Sequence, residues 1–177
     1  MFRFGYNAQH TGYLFAYVGI LAVIVQGGLM GRIMRRFGEP SLVIAGALLL
    51  AGSLFAVPFI GPRTGGLLAL LGGGGLFSIG NSISAPSLAS LASKSVGAAD
   101  QGSIFGVTQS VASLARAVGP TLAASLIHSV VAYEGADGQT HFMSDHSLFV
   151  IFWTASAIMV VALFLSVYFA RTHAAEY

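Results

Sequence analysis

Residues 147–170 read SLFVIFWTASAIMVVALFLSVYFA, a run with no charged side chain. A bilayer core about 30 Å thick is crossed by roughly 20 apolar residues wound as a helix, and this run is long enough. Working back along the chain, four more stretches have the same character: Tyr13 to Gly31, Leu42 to Ile60, Thr64 to Ser93, and Gln101 to Tyr133, the last interrupted only by Arg116. The intervals between them hold turn formers and nearly all the charge, at Gly38-Glu39-Pro40, Gly61-Pro62-Arg63, Lys94 to Gly102 and Glu134 to His146. Strands of an outer-membrane barrel alternate apolar and polar residues over about ten positions. These runs do not alternate, and helices satisfy their own backbone in lipid. The expected fold is all-α: a polytopic transmembrane helix bundle with five spans, at about 13–31, 42–60, 64–93, 101–133 and 147–170.

Composition agrees. Of 177 residues, 55% are hydrophobic and only 8% are Asp, Glu, Lys or Arg, against about 25% charged in soluble domains. Mean hydropathy is +0.81. A soluble enzyme, a disordered tail and a collagen-like fibre are excluded. The net charge of +2 is spread along the chain, so no basic patch dense enough to track nucleic acid is present. With no cysteine, disulfides, thiolate nucleophiles and Cys-bound metals are excluded. His141, Asp145 and His146 match no zinc spacing, and neither a metal nor another cofactor is expected. No nucleophile–base–orienter set is visible, so the chemistry expected is binding rather than catalysis.

Lys and Arg set the orientation. Arg3 and Arg63 fall on one side of a five-span arrangement; Arg32, Arg35, Arg36, Lys94 and Arg171 fall on the other. The positive-inside rule then makes the C-terminus cytoplasmic. All six acidic residues lie outside the spans. Intramembrane proton relays commonly use Asp, Glu or His, so a proton-carrying group is expected elsewhere.

Arg116 is the sharpest single feature. It sits near the middle of its span, about 20 Å from either end at 1.5 Å per residue, beyond the reach of a snorkelling side chain. Placing a guanidinium there costs at least about 2.5 kcal/mol, so it should face protein or water. Gln109, Ser113 and Arg116 share one helical face and read as a polar stripe lining a cavity; the plainer alternative is an Arg that caps carbonyls of neighbouring helices. Small residues recur four apart on the same span, at Gly102, Gly106 and Ser110 and at Ala115, Gly119 and Ala123, as in closely approaching membrane helices. Pro120 after Gly119 frees a carbonyl and favours a kink. In the third span, Gly72 to Gly75 lacks the Gly-Lys-Ser/Thr of a phosphate loop and reads as helix packing. Ser78, Asn81, Ser82, Ser84 and Ser87 make that span polar, with Asn81 the strongest candidate to touch a ligand. Gln26 in the first span is a weaker one.

The segment from Gly27 to Glu39 reads GGLMGRIMRRFGE. It resembles the loop signature G-x-x-x-D-R-x-G-R-R of major facilitator superfamily transporters, matching at Gly27, Arg32, Arg35 and Arg36, with Gly31 replacing the Asp and Met34 the second Gly. Such degeneracy is usual in the second copy of the motif. The segment Ala115 to Ala124, ARAVGPTLAA, is similar to the antiporter motif G-x-x-x-G-P-x-x-G-G in its weakened helix-11 form. Both motifs fall in register if the five spans are helices 8 to 12, and Leu88 to Ile127 is similar to drug and tetracycline efflux carriers of this superfamily. The resemblance implies a secondary active, multi-pass transporter of a small molecule in the plasma (inner) membrane: an ion-coupled efflux antiporter, with a proton as candidate coupling ion, working by alternating access. It implies substrate-lining roles for Gln26, Asn81, Gln109 and Arg116, a gating loop at Gly27, Arg32, Arg35 and Arg36, and a first half supplying the titrating acids. Five helices do not enclose a two-half cavity, so the chain is expected to be a fragment whose partner is the missing N-terminal half. The alternative is a non-transporting membrane interaction or assembly subunit.

Overall fold

The structure is a computed structural model and describes residues 4, 6–128, 133–134, 140–141 and 145–172. Its elements are α1 (Ala8–Val23), a π-helical segment (Ile24–Leu29), α2 (Met30–Phe37), α3 (Glu39–Ala56), a 3-10 turn (Val57–Phe59), α4 (Gly66–Lys94), α5 (Gln101–His128), β1 (Tyr133–Glu134), β2 (Thr140–His141) and α6 (Asp145–Thr172). Four helical stretches are long and apolar enough to cross a membrane: Ala8–Phe37, Glu39–Phe59, Gly66–Lys94 and His146–Thr172. α5 has the length but is more polar. The all-α bundle read from the sequence is present, as five long helical stretches among the described residues.

The helix ends have local causes. The Asn7 side chain accepts the backbone N–H of His10 at 3.0 Å and caps α1. Gly38, at φ +73°, is the single residue between α2 and α3, and Pro40 occupies the first turn of α3, where its missing N–H is harmless. Pro58 closes that helix in a 3-10 turn, and Gly65 and Gly66, also at positive φ, open α4.

Two boundaries differ from the sequence reading. The Gly27 to Glu39 segment is not a loop: it continues the first helix through the π segment and α2 as far as Phe37. Arg, Met and Ile tolerate a helix well, and the turn of π-helix absorbs the glycine pair. Likewise, α5 is described as far as His128, and Tyr133 lies not in it but in a two-residue antiparallel ribbon facing His141. An uncharged run sets an upper limit on a span, and the helix stops inside it.

Packing centres on α3. Where it crosses α4, a Cβ placed on Gly46 would come within 2.8 Å of the Ser84 Cβ and 2.9 Å of the Gly80 carbonyl oxygen. Such backbone proximity, granted by small residues, is how helices associate without a hydrophobic driving force. α6 runs antiparallel to α3, with the Ser156 hydroxyl donating to the Ala51 carbonyl at 2.9 Å and Trp153 stacked on Phe55 with ring centroids 5.6 Å apart. α1 meets α4 through the Ser78 hydroxyl, which donates to the Val18 carbonyl at 2.8 Å. Val25, Met30, Leu42 and Ile83 form a small buried apolar cluster beneath α2.

Candidate functional site

α5 is the barest of the long helices. From Gln101 to Leu126 none of its residues is buried, as in α1, but here only Ile104, Ala112, Ala123 and Leu126 are even half-covered. Its main neighbours are α4 and α6. Gln109, Ser113 and Arg116 stand exposed on one face of it. Several hydroxyls of α5 bond to their own helix: Thr108 to the Ile104 carbonyl at 2.7 Å, Ser110 to Gly106 at 2.8 Å and Ser125 to Leu122 at 2.8 Å. Gln109, Ser113 and Arg116 have no such bond to a described residue, so Arg116 caps no carbonyl of a described neighbouring helix. α5 runs unbroken across Pro120. A proline deprives the residue four positions earlier of its helical partner, and here that residue is Arg116, so guanidinium and carbonyl of one residue are both left to find partners.

Asn81 lies exposed on α4, next to buried Ser82, whose hydroxyl has no hydrogen-bond partner among the described residues. Gln26 is exposed in the π segment while the adjacent Val25 is buried. Short π-helical insertions recur at functional positions, and this one contains both Gln26 and Gly27. No hydrogen bond joins Gln26, Asn81, Gln109, Ser113 and Arg116 to one another among the described residues. Each is a polar group on an outward face of the chain. A cavity of about 480 Å³ lies elsewhere, among α3, α4 and α6, and none of the five lines it.

Of the residues that the resemblance assigns to a gating loop, Arg32, Arg35 and Arg36 are exposed on α2, with the Arg36 guanidinium 5.5 Å from the centroid of the Phe37 ring. Sequence reasoning missed the polar cluster that follows them. Glu39, in the first turn of α3, accepts hydrogen bonds from Lys94 in the last turn of α4 and, at 3.0 Å, from the Ser90 hydroxyl. The cluster fastens two helices at the end where α2 carries its arginines. The signal available in the sequence was faint: an acid and a base flanking successive spans on the same side. The side chains of His141 and Asp145 lie outside the described residues, and among the described residues no group of three or more His, Cys, Asp or Glu is placed to hold a metal.

The α5 face is thus polar and has no partner among the described residues. The family model described as Major Facilitator Superfamily matches residues 1–120. Solute carrier family 22 member 18 of Rattus norvegicus is 34% identical over 131 residues, covering 71% of this chain and 30% of that protein. The class B tetracycline resistance protein of Escherichia coli is 29% identical over 136 residues, 75% of this chain and 32% of that protein. The class D tetracycline resistance protein of Salmonella ordonez is 28% identical over 142 residues, 77% and 33% respectively. The chain thus spans about a third of the length of the curated relatives it matches. No solved structure matches it.

Proposed function

Because the chain belongs to the major facilitator superfamily and is a multi-pass membrane protein, we propose that it forms part of a secondary active transporter that moves a small molecule by alternating access. The observation that carries this reading is the outward α5 face of Gln109, Ser113 and Arg116, polar and without a described partner. In hydrocarbon such a face is costly. Against a second helical half with water and substrate between the two, it becomes a binding wall. Gln26 of the π segment and Asn81 of α4 are assigned to the same wall. Arg116 supplies the fixed positive charge, suited to an anionic or strongly polar acceptor group on the substrate, and its carbonyl, freed by Pro120, supplies an acceptor beside it. The five-span arrangement, with α5 as the fourth span, belongs to the same proposal.

Efflux is the preferred direction, from the two relatives named for tetracycline resistance. Ion coupling, with the proton first, is assigned to acids outside this chain's spans. On the positive-inside count the arginines of α2 and the C-terminus face the cytoplasm, and the membrane is the plasma (inner) membrane. There the Gly27, Arg32, Arg35 and Arg36 segment would act as a gate element, a rigid helical extension rather than a pliable loop. The Gly119–Pro120 step would be the place where α5 bends as the halves rock.

The test is transport by the complete carrier with Arg116→Ala and Arg116→Lys, using tetracycline as the first substrate and everted vesicles energised by a pH gradient. Loss of drug accumulation in Ala with partial retention in Lys is the expected result. Unchanged accumulation at normal expression would reject the lining role and favour the alternative, a membrane assembly subunit in which α5 serves only as a docking helix.

A further inference from the structure

The 480 Å³ cavity takes no part in the polar wall. Its lining includes Pro40 and Val43 of α3, Leu88 and Leu91 of α4, and Leu165 and Tyr168 of α6. The two serines that border it have their hydroxyls engaged by their own helices: Ser95 donates to the Ala92 carbonyl at 2.9 Å and Ser166 to the Ala162 carbonyl at 2.7 Å. What remains is an apolar trough between three membrane helices, running about 10 Å along α4 from Leu88 to Ser95. Leu165 and Tyr168 leave it open to the outside. Water gains nothing in an apolar trough, and an unfilled one forfeits the dispersion contacts of its walls. In a bilayer the molecule at hand to fill it is a lipid tail.

The mouth of the trough is charged. α3 begins here, whereas α4 and α6 end here, and the last turns of those two carry Lys94 and Arg171. Lys94 lies three residues beyond Leu91 and Arg171 three beyond Tyr168, so each cation shares a helix face with a lining residue. Lys94 is engaged by Glu39 yet keeps 56% of its side chain exposed. Arg171 has no ion-pair partner among the described residues. Basic pockets between transmembrane helices are sites for anionic head groups.

We propose that this trough holds one acyl chain of an anionic phospholipid, with the lipid phosphate on Arg171 and within reach of Lys94. The lipid would wedge α3, α4 and α6 at their shared end and press on the Glu39–Lys94 contact. Its composition would thereby bias the helices that back the gate.

The probe is the purified protein in nanodiscs of equal parts phosphatidylglycerol and phosphatidylcholine, extracted gently and weighed by native mass spectrometry. One retained phosphatidylglycerol is expected, preferred roughly five-fold over phosphatidylcholine, the value of about 1 kcal/mol for one cation near a membrane surface. Arg171→Gln should bring the two lipids to parity. Leu165→Trp, which fills the trough, should abolish retention, and Ala92→Phe from the opposite wall repeats the block if the first variant folds poorly by circular dichroism. Absence of any retained lipid, or equal retention in a folded, trough-filled variant, would overturn the proposal.

Discussion

Two surfaces of this chain are built from small residues spaced about one helical turn apart. On the α3–α4 seam the spacing is used: Gly46, Gly80 and Ser84 are buried, and an added Cβ at Gly80 would meet the Leu49 Cβ at 3.0 Å and the Gly46 carbonyl oxygen at 3.1 Å. On α5, Gly102, Gly106 and Gly119 have nothing within 4 Å of an added Cβ. Small-residue spacing therefore states that a helix can be approached closely, and leaves open by whom. The α4 stripe is answered inside the chain; the α5 stripe, set beside a polar face, is unanswered among the described residues. Experiments that treat the two surfaces alike should give opposite results.

The largest expected effect is on the seam. Gly46→Val forces its side chain into Ser84 and the Gly80 backbone, and should destabilise the chain by about 3 kcal/mol, read as a lowered unfolding midpoint in detergent. Next comes Arg116→Ala on α5: transport by the complete carrier should fall about tenfold or more, equivalent to about 1.4 kcal/mol, while this chain's unfolding midpoint stays put. A fall in stability matching that of Gly46→Val would show that α5 is packed after all, and the comparison would break. Glu39→Gln and Lys94→Gln probe the polar clasp at the end of the seam. With Lys94 more than half exposed, a double-mutant cycle should return about 0.2–1 kcal/mol, smaller still at high salt. The smallest effect belongs to Gly106→Ala, which should leave stability within about 0.5 kcal/mol or raise it slightly through helix propensity. A loss of transport in that same variant would sharpen the contrast, since it would locate the approaching surface outside this chain.

Much of the fold could be read directly. Uncharged runs of helix length have one use in lipid, and the run at residues 147–170 became α6 with only a few residues added at each end. Arg116 could be singled out because a mid-span guanidinium is expensive wherever it points. Other features depend on information that no window of sequence holds. The Glu39–Lys94 contact joins residues 55 apart, and it forms only because α3 and α4 lie antiparallel in one register. The Gly27 to Glu39 segment misled because glycines and arginines mark a loop in water, whereas a helix leaving a bilayer carries both without breaking. Gly46 gave no warning either: one glycine in an apolar run looks the same whether it is crossed or bare. The trough between α3, α4 and α6 is invisible for the same reason, being a gap between elements rather than a property of any one.

The first helical stretch has one more consequence. From Ala8 to Phe37 it is 30 residues long, which at 1.5 Å each gives a rod of about 45 Å against a hydrocarbon layer of about 30 Å. Roughly 15 Å must be absorbed by leaning or must stand clear of the oil. The arginines occupy that surplus, and only Gly38 separates its tip from the next rod. With no slack in the joint, a swing of the tip is handed straight to α3, as a crank passes its turn to a shaft.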